Sequence, residues 1–197
     1  MPTIRLATAG DAPAVHAIYA PIVQETAISF EYEIPPVDEI RQRILSKAPT
    51  YPWLVLEHND SILGYAYGGR WRERAAYSWS VEVTVYVSAQ VTRAGVGRAL
   101  YTSLQAVLRL QGFNMAYAGI TLPNAGSVGL HEAVGFHYVG TYSRAGYKFG
   151  TWHDVGWWQI ELNPPAIDPQ PTQPLPALIA TPAWDTAVSA GLPLLRL

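Results

Sequence analysis

Cysteine is absent from the 197-residue sequence, and charged residues make up only 14% of it. The lack of cysteine excludes disulfide bonds, cysteine nucleophiles and zinc sites built from thiolates. Because the formal net charge is only −2, the chain has no general attraction for nucleic acid or for an anionic membrane. The sequence does not open with the pattern of a signal peptide, and no apolar run approaches the roughly 18 residues of a membrane span. We therefore expect a soluble, cytoplasmic protein without nucleic-acid or membrane partners.

The composition changes near residue 163. Residues 163–197 contain eight of the sixteen prolines and only three charged side chains. We therefore divide the chain into a domain over residues 1–162 and a proline-rich tail over residues 163–197, to which no function is assigned. Proline disfavours helix interiors and central strands, so the tail is expected to be extended and weakly held. Its last part, residues 184–197, is apolar enough to dock on some other surface.

Within residues 1–162 the hydrophobic pattern alternates between the period of a strand and that of a helix. Such alternation favours an α/β domain with βαβ units. Strands are predicted over residues 4–7, 53–57, 62–68, 78–87, 115–122, 138–148 and 155–162, and helices after residue 11 and over residues 37–48, 95–111 and 124–134.

A glycine-containing turn separates the strand that ends at Val87 from the helix that follows. Backbone N–H groups and the positive end of a helix dipole make such a turn suited to an anion. Gly95 and Gly97 allow close approach of a phosphate, and Arg93 and Arg98 add positive charge. A P-loop is excluded because no Gly-Lys-Ser/Thr is present, and a dinucleotide site because no acid occurs between Glu82 and Glu132. A plain helix-capping turn remains the alternative.

The turn resembles the pyrophosphate motif of GCN5-related N-acetyltransferases, Arg/Gln-x-x-Gly-x-Gly/Ala, although Thr92 occupies the leading position and Arg93 follows it. The run from Asn124 through Ser127 to Phe136 resembles the second motif of that family. This resemblance implies the GNAT fold: a mixed, mostly antiparallel sheet of six to seven strands flanked by helices, with acetyl-CoA between strands four and five. The cofactor residues that it implies are Val85, Tyr86, Val87, Arg93, Ala94, Gly95, Val96, Gly97, Arg98, Asn124 and Ser127.

Residues 51–55, 71–87 and 146–159 narrow the resemblance to the phosphinothricin and methionine sulfoximine acetyltransferases. That subfamily implies Glu82 as the base for the amine, and it forms homodimers. His131 stands where many members of the family have a tyrosine as the acid for the leaving sulfur, and its imidazole can serve as acid or base near neutrality. The subfamily also implies a set of residues that bind the substrate, namely Phe30, Arg72, Arg74, Glu82, Thr84 and Val155. Guanidinium groups pair well with a substrate carboxylate, although a surface charge cluster is the usual explanation for a run of arginines.

Strand alternation places Glu82 opposite the apolar face that carries Val83. A solvated glutamate is the alternative for Glu82, and a helix histidine bonded to a backbone carbonyl is the alternative for His131. His153 and Asp154 lack further ligands at metal-binding spacing, so no metal is expected.

These residues predict transfer of an acetyl group from acetyl-CoA to the α-amino group of a small amino-acid analogue. Two alternatives remain open. One is a GNAT enzyme acting on another amine, such as a protein N-terminus, a polyamine or an aminoglycoside. The other is a non-catalytic acyl-CoA-binding module, which leaves the combination of Glu82, His131, Arg72 and Arg74 without a role.

Overall fold

The computed structural model describes residues 1–91 and 93–197; Thr92, the leading position of the predicted phosphate motif, lies outside them. The described residues form seven strands: β1 (Thr3–Leu6), β2 (Trp53–His58), β3 (Ser61–Arg70), β4 (Ser80–Val87), β5 (Met115–Leu122), β6 (His137–Lys148) and β7 (Thr151–Glu161). The α-helices are α1 (Ala12–Glu25), α2 (Val37–Lys47), α3 (Val96–Gln111), α4 (Ala125–Ala133), α5 (Leu175–Leu178) and α6 (Pro182–Ser189).

The strands form one sheet in the order β1-β2-β3-β4-β5-β7-β6. All neighbours are antiparallel except β4 and β5, which are parallel. The predicted α/β class and the mixed, mostly antiparallel GNAT sheet are therefore confirmed, with seven strands. The predicted strand over residues 78–87 begins two residues later, because a short helical turn over Ala75–Tyr77 precedes it.

The central feature of the sheet is a split between β4 and β5. These strands pair only from Ser80 to Glu82 on one side and from Met115 to Tyr117 on the other. Beyond this point β4 continues to pair with β3 as far as Val87, and β5 continues to pair with β7 as far as Leu122. The facing edges of β4 and β5 therefore separate after Glu82, and their backbone N–H and C=O groups line an opening instead of a ladder.

The two sides of the sheet pack against different helices. On one side, α3 buries Ala99, Leu100 and Leu104 against Val81 and Val83 of β4. On the other side, α1 and α2 pack over the aromatic surface of β2 and β3, where Trp53 and Tyr65 stack with centroids 5.6 Å apart. The predicted alternation of β4 is confirmed, because Val81 and Val83 are buried and Glu82 is half-buried between them.

The expectation of a weakly held, extended tail is wrong. Residues 163–197 contain α5 and α6, whose Leu175, Leu178 and Trp184 are buried against Val107 of α3. Prolines do not prevent this, because they stand in the first turns of both short helices, where no backbone donor is needed. The predicted docking of residues 184–197 is confirmed, and the surface they dock on is that of the domain.

Candidate active site

The turn before α3 forms a concave backbone surface. Arg93 and Gly95 both adopt left-handed conformations, with φ of 62° and 82°, and α3 begins at Val96. Successive N–H groups in such a turn point into one concavity and bind anions, and the dipole of a 16-residue helix adds to this preference. Glycine suits position 95 because most side chains disfavour positive φ. The geometry of the turn is therefore suited to binding a negatively charged group.

The same turn borders a cavity of about 650 Å³ that opens between β4 and α4. Ten of the predicted cofactor residues line this cavity, and they are Val85, Tyr86, Val87, Arg93, Gly95, Val96, Gly97, Arg98, Asn124 and Ser127. Ala94 is not among the lining residues, and its carbonyl oxygen accepts a hydrogen bond from the backbone N–H of Arg196 at 3.0 Å.

Asn124 is the N-cap of α4. Its Oδ1 accepts a hydrogen bond from the backbone N–H of Ser127 at 3.0 Å, which satisfies one of the free donors at the start of the helix. The cap fixes the carboxamide at the rim of the opening between β4 and β5. Asn124 therefore lies where a ligand that enters this opening meets an oriented amide.

A second, smaller cavity of about 60 Å³ lies deeper in the opening, where it is lined by Thr84, Tyr101, Asn124, Ser127 and His131, among others. His131 is buried, and burial lowers the pKa of its imidazole. Its Nδ1 lies 2.7 Å from the carbonyl oxygen of Ser127, and its Nε2 lies 2.8 Å from the hydroxyl of Tyr101. In the neutral ring Nδ1–H donates to Ser127, so Nε2 accepts from Tyr101.

Glu82 lies at the point where β4 and β5 separate. It is opposite Gly69 of β3 and Tyr117 of β5 in the sheet register. Burial raises the pKa of its carboxyl group, and the positive charges of Arg72 and Lys47 lower it by a smaller amount. A carboxyl group with a raised pKa is a stronger base than a solvated glutamate.

Comparison with known proteins agrees with this geometry. The family model described as an acetyltransferase (GNAT) domain matches residues 4–157. The chain belongs to the GNAT acetyltransferase family. It is 44% identical to the phosphinothricin N-acetyltransferase of Streptomyces viridochromogenes over 172 residues, which is 87% of this chain and 93% of that protein.

Two further relatives extend the comparison. An L-methionine sulfoximine/L-methionine sulfone acetyltransferase of Salmonella typhimurium is 34% identical, over 82% of this chain and 95% of its own. The crystal structure of a GNAT superfamily phosphinothricin acetyltransferase from Sinorhizobium meliloti in complex with AcCoA has a TM-score of 0.79 and 30% identity. The alignment covers 87% of this chain and 93% of the Sinorhizobium meliloti chain.

The cavity of this GNAT chain fits the cofactor that the family uses. Coenzyme A combines phosphates with a long, mixed polar and apolar arm. Arg93, Arg98 and the backbone turn at Gly95 suit the phosphates, and the cavity continues past Val87 to Asn124 between the separating strands.

Arg72 and Arg74 differ in their surroundings. The guanidinium of Arg72 lies 4.6 Å from the ring centroid of Trp71, and Trp71 in turn stacks on Tyr117 at 4.4 Å. This stacking holds Arg72 beside the strand split, where its charge acts on Glu82. Arg74 precedes the turn at Ala75 and is exposed. Arg72 is exposed as well, but its charge lowers the pKa of Glu82, whereas that of Arg74 is not among the charges acting on this carboxyl group.

Phe30 and Val155 lie on the β6–β7 side of the opening. Phe30 packs directly on the backbone of Gly146 in β6, with its ring 6.2 Å from that of His153. Val155 is opposite Thr121 of β5 and Tyr142 of β6. Neither residue lines the 650 Å³ cavity, and their part in substrate binding stays a prediction.

Sequence reasoning missed Lys47. This lysine ends α2, and its ammonium lies over the ring of Tyr67 at 5.2 Å from the centroid. Burial lowers the pKa of Lys47, and the charge of Glu82 opposes that effect. A terminal lysine on an amphipathic helix is normally a solvated residue near the helix dipole, so no local signal distinguishes it. Only the tertiary fold brings it to Glu82.

Among the described residues, no cluster of three or more His, Asp or Glu side chains is arranged to hold a metal ion. Within the same part of the chain, none of the helices combines the length and the apolar character needed to cross a membrane.

Proposed function

We propose that this protein transfers the acetyl group of acetyl-CoA to the α-amino group of a small amino-acid analogue of the phosphinothricin, methionine sulfoximine or methionine sulfone type. One observation carries the proposal: a half-buried carboxylate, Glu82, lies at the split between β4 and β5, and two cations, Arg72 and Lys47, act on it. The carboxylate of Glu82 suits the amino group of such a substrate, and the charges of Arg72 and Lys47 suit the carboxylate of the substrate.

The cofactor side of the site holds and orients acetyl-CoA in this proposal. Arg93, Arg98 and the amides of the turn bind the phosphates, while Asn124 and the free edge of Val85–Val87 bind the arm and the thioester carbonyl. When bound, acetyl-CoA supplies an activated acetyl group as a thioester. Backbone N–H groups on this free edge would stabilise the negative charge that develops on a thioester carbonyl oxygen held there.

Glu82 removes the proton of the acceptor. An α-amino group is protonated near neutrality, so it becomes a nucleophile only after losing a proton. The raised pKa of Glu82 brings its basicity closer to that of the amine, and its position between Gly69 and Tyr117 keeps the carboxylate at the split. We propose that Glu82 accepts this proton directly or through one water molecule.

His131 contributes less than Glu82 in this proposal. A lowered pKa leaves the imidazole neutral at pH 7, so it is a weak acid for the leaving sulfur. Both ring nitrogens already have partners in Ser127 and Tyr101. We assign His131 to the leaving-group side, where the Tyr101–His131 pair adds polar contacts to a cavity that Thr84, Asn124 and Ser127 also line.

The proposed setting is a cytoplasmic homodimer that detoxifies a small-molecule amine and binds neither nucleic acid nor membrane. The edge hairpin of β6 and β7 supports a dimer, because it exposes large apolar side chains at Tyr142, Phe149 and Trp152. Exposed edge strands and apolar patches are typical of protein interfaces. Light scattering should show a dimer for the natural protein and a monomer for the Tyr142→Lys/Trp152→Lys variant.

A thiol-release screen tests the function. Purified protein and acetyl-CoA are mixed with phosphinothricin, methionine sulfoximine and methionine sulfone, and in parallel with polyamines and N-terminal peptides. The proposal expects acetyl-CoA-dependent thiol release with the amino-acid analogues. Release only with polyamines or peptides would establish the alternative GNAT reaction. Cofactor binding without release from any amine would establish a binding module.

A further inference from the structure

The last part of the tail lies against the phosphate turn. Residues 192–194 form a short helical turn, and the backbone N–H of Arg196 donates to the carbonyl oxygen of Ala94 at 3.0 Å. Leu194 and Arg196 both line the 650 Å³ cavity, on the same wall as Arg93 and Gly95. The family match ends at residue 157, so this wall comes from a segment outside the matched domain.

The docking of this segment is specific. The N–H of Gly191 donates to Oγ of Ser103 on α3 at 3.0 Å, and a Cβ at Gly191 would collide with the backbone of Ala99. A Cβ at Gly95 would likewise collide with the carbonyl oxygen of Leu194. Two glycines thus permit close backbone contact between the tail, the start of α3 and the phosphate turn.

The tail is anchored well before it reaches the cavity. Trp79 donates from its indole to the carbonyl oxygen of Gln170 at 2.8 Å, and Gln111 donates from its amide to that of Gln173 at 2.9 Å. Leu175 and Trp184 are then buried against α3. Since the preceding residues are fixed at several points, the position of Arg196 is set by the fold and not by a free chain end.

We propose that Arg196 is a cofactor-binding residue that contacts a phosphate group of coenzyme A. It adds a third guanidinium to a cavity wall that already carries Arg93 and Arg98. The tail thereby completes the cofactor site from outside the catalytic domain. The inference rests on the proposed function, because it takes acetyl-CoA as the ligand of this cavity.

Calorimetric titration of the full chain with coenzyme A tests the proposal. Arg196→Gln should weaken binding by about fivefold. This loss lies between the small effect of removing an exposed ion pair and the larger effect of removing a charge-assisted hydrogen bond. Arg196→Lys should retain most of the affinity because it keeps the charge. Arg41→Gln on α2 removes the same charge far from the cavity and serves as the matched control. The loss for Arg196→Gln should shrink as salt screens the charge.

Gly191→Val provides a second, independent variant. Its side chain forces the segment away from Ala99, whereas α5 and α6 keep their own anchors. We expect the same loss of affinity as for Arg196→Gln. Titration with 3′-dephospho-coenzyme A then locates the contact: a loss that persists assigns Arg196 to the pyrophosphate, and a loss that disappears assigns it to the 3′-phosphate.

Unchanged or tighter binding of coenzyme A by Arg196→Gln would overturn the proposal, since the tail would then be a structural strap or a competitor of the cofactor. If the natural protein itself fails to bind coenzyme A, the proposed function fails instead. The two failures are therefore distinguishable in one set of titrations.

Discussion

The two sides of the strand split are constructed in different ways. The cofactor side combines the end of β4 and the turn before α3, which are close in sequence, with α4 and the end of the tail, and we propose that it binds through backbone groups and a helix start. The acceptor side combines Lys47 from the end of α2, Arg72 from the loop after β3, and Glu82 from β4. It acts through side chains that meet only in the folded protein.

The difference extends to electrostatics. On the cofactor side, arginines and amides offer positive potential, and residues 83–131 contain no Asp or Glu. On the acceptor side a carboxylate and two cations share a partly buried space, so each changes the pKa of another. Binding on the first side and proton transfer on the second should therefore respond to different substitutions.

The largest expected effect is that of Glu82→Gln. Loss of a general base should reduce kcat by about 10²- to 10⁴-fold. The Kd for coenzyme A should remain within about twofold, because phosphate contacts lie on the other side of the split. Stopped-flow rates and calorimetry measure the two quantities, with Glu161→Gln at the exposed end of β7 as control. A similarly large loss of coenzyme A affinity would contradict the claim that cofactor binding and proton transfer depend on different sides of the split.

Arg72→Gln should have the next largest effect. Removal of a charge-assisted contact to the substrate carboxylate should raise the KM for the acceptor by about 10- to 100-fold. Arg74→Gln should change KM less, because the charge of Arg72, and not that of Arg74, lowers the pKa of Glu82. Steady-state kinetics with a saturating cofactor compares them. A larger effect at Arg74 would assign carboxylate binding to that residue instead, in its own site or a partner's.

Tyr101→Phe sharpens the comparison on the leaving-group side. It leaves Nε2 of His131 buried without its donor, which should cost about 1–3 kcal/mol of unfolding free energy. The loss of kcat should be much smaller than that of Glu82→Gln. Urea unfolding and turnover rates provide both numbers. A loss of kcat as large as that of Glu82→Gln would place essential acid chemistry on this pair.

Lys47→Gln should have the smallest effect on rate and a measurable effect on its pH dependence. The charge of Lys47 lowers the pKa of Glu82, so its removal should raise that pKa. As the pH is lowered, activity that requires ionised Glu82 should then be lost at a higher pH than in the natural protein, with a shift of at most about one pH unit. The pH profile of kcat/KM measures the shift. A shift toward lower pH would have the wrong sign for this interaction.

Sequence patterns predicted the first side of the site better than the second. On the first side, the glycine turn and Asn124 have local signals, and the mixed, mostly antiparallel sheet follows from the GNAT resemblance. On the second side, only the alternation around Glu82 has one. Lys47 and Tyr101 had no such signal, because their functional neighbours are distant in sequence. The tail was misjudged for a related reason: its prolines suggested an extended chain, while its burial depends on the surface of α3.

The rate of acetyl transfer in a single turnover, measured against pH for the natural protein and for Glu82→Gln, tests the central claim most directly. The ratio of the two rates removes the titration of the acceptor amine, which is common to both proteins. Burial raises the pKa of Glu82, so its carboxylate is lost earlier than usual as the pH falls. We predict a ratio that is large at neutral pH and falls toward one as the pH is lowered through and below this raised pKa. A ratio that stays constant with pH would contradict the assignment of Glu82 as the base.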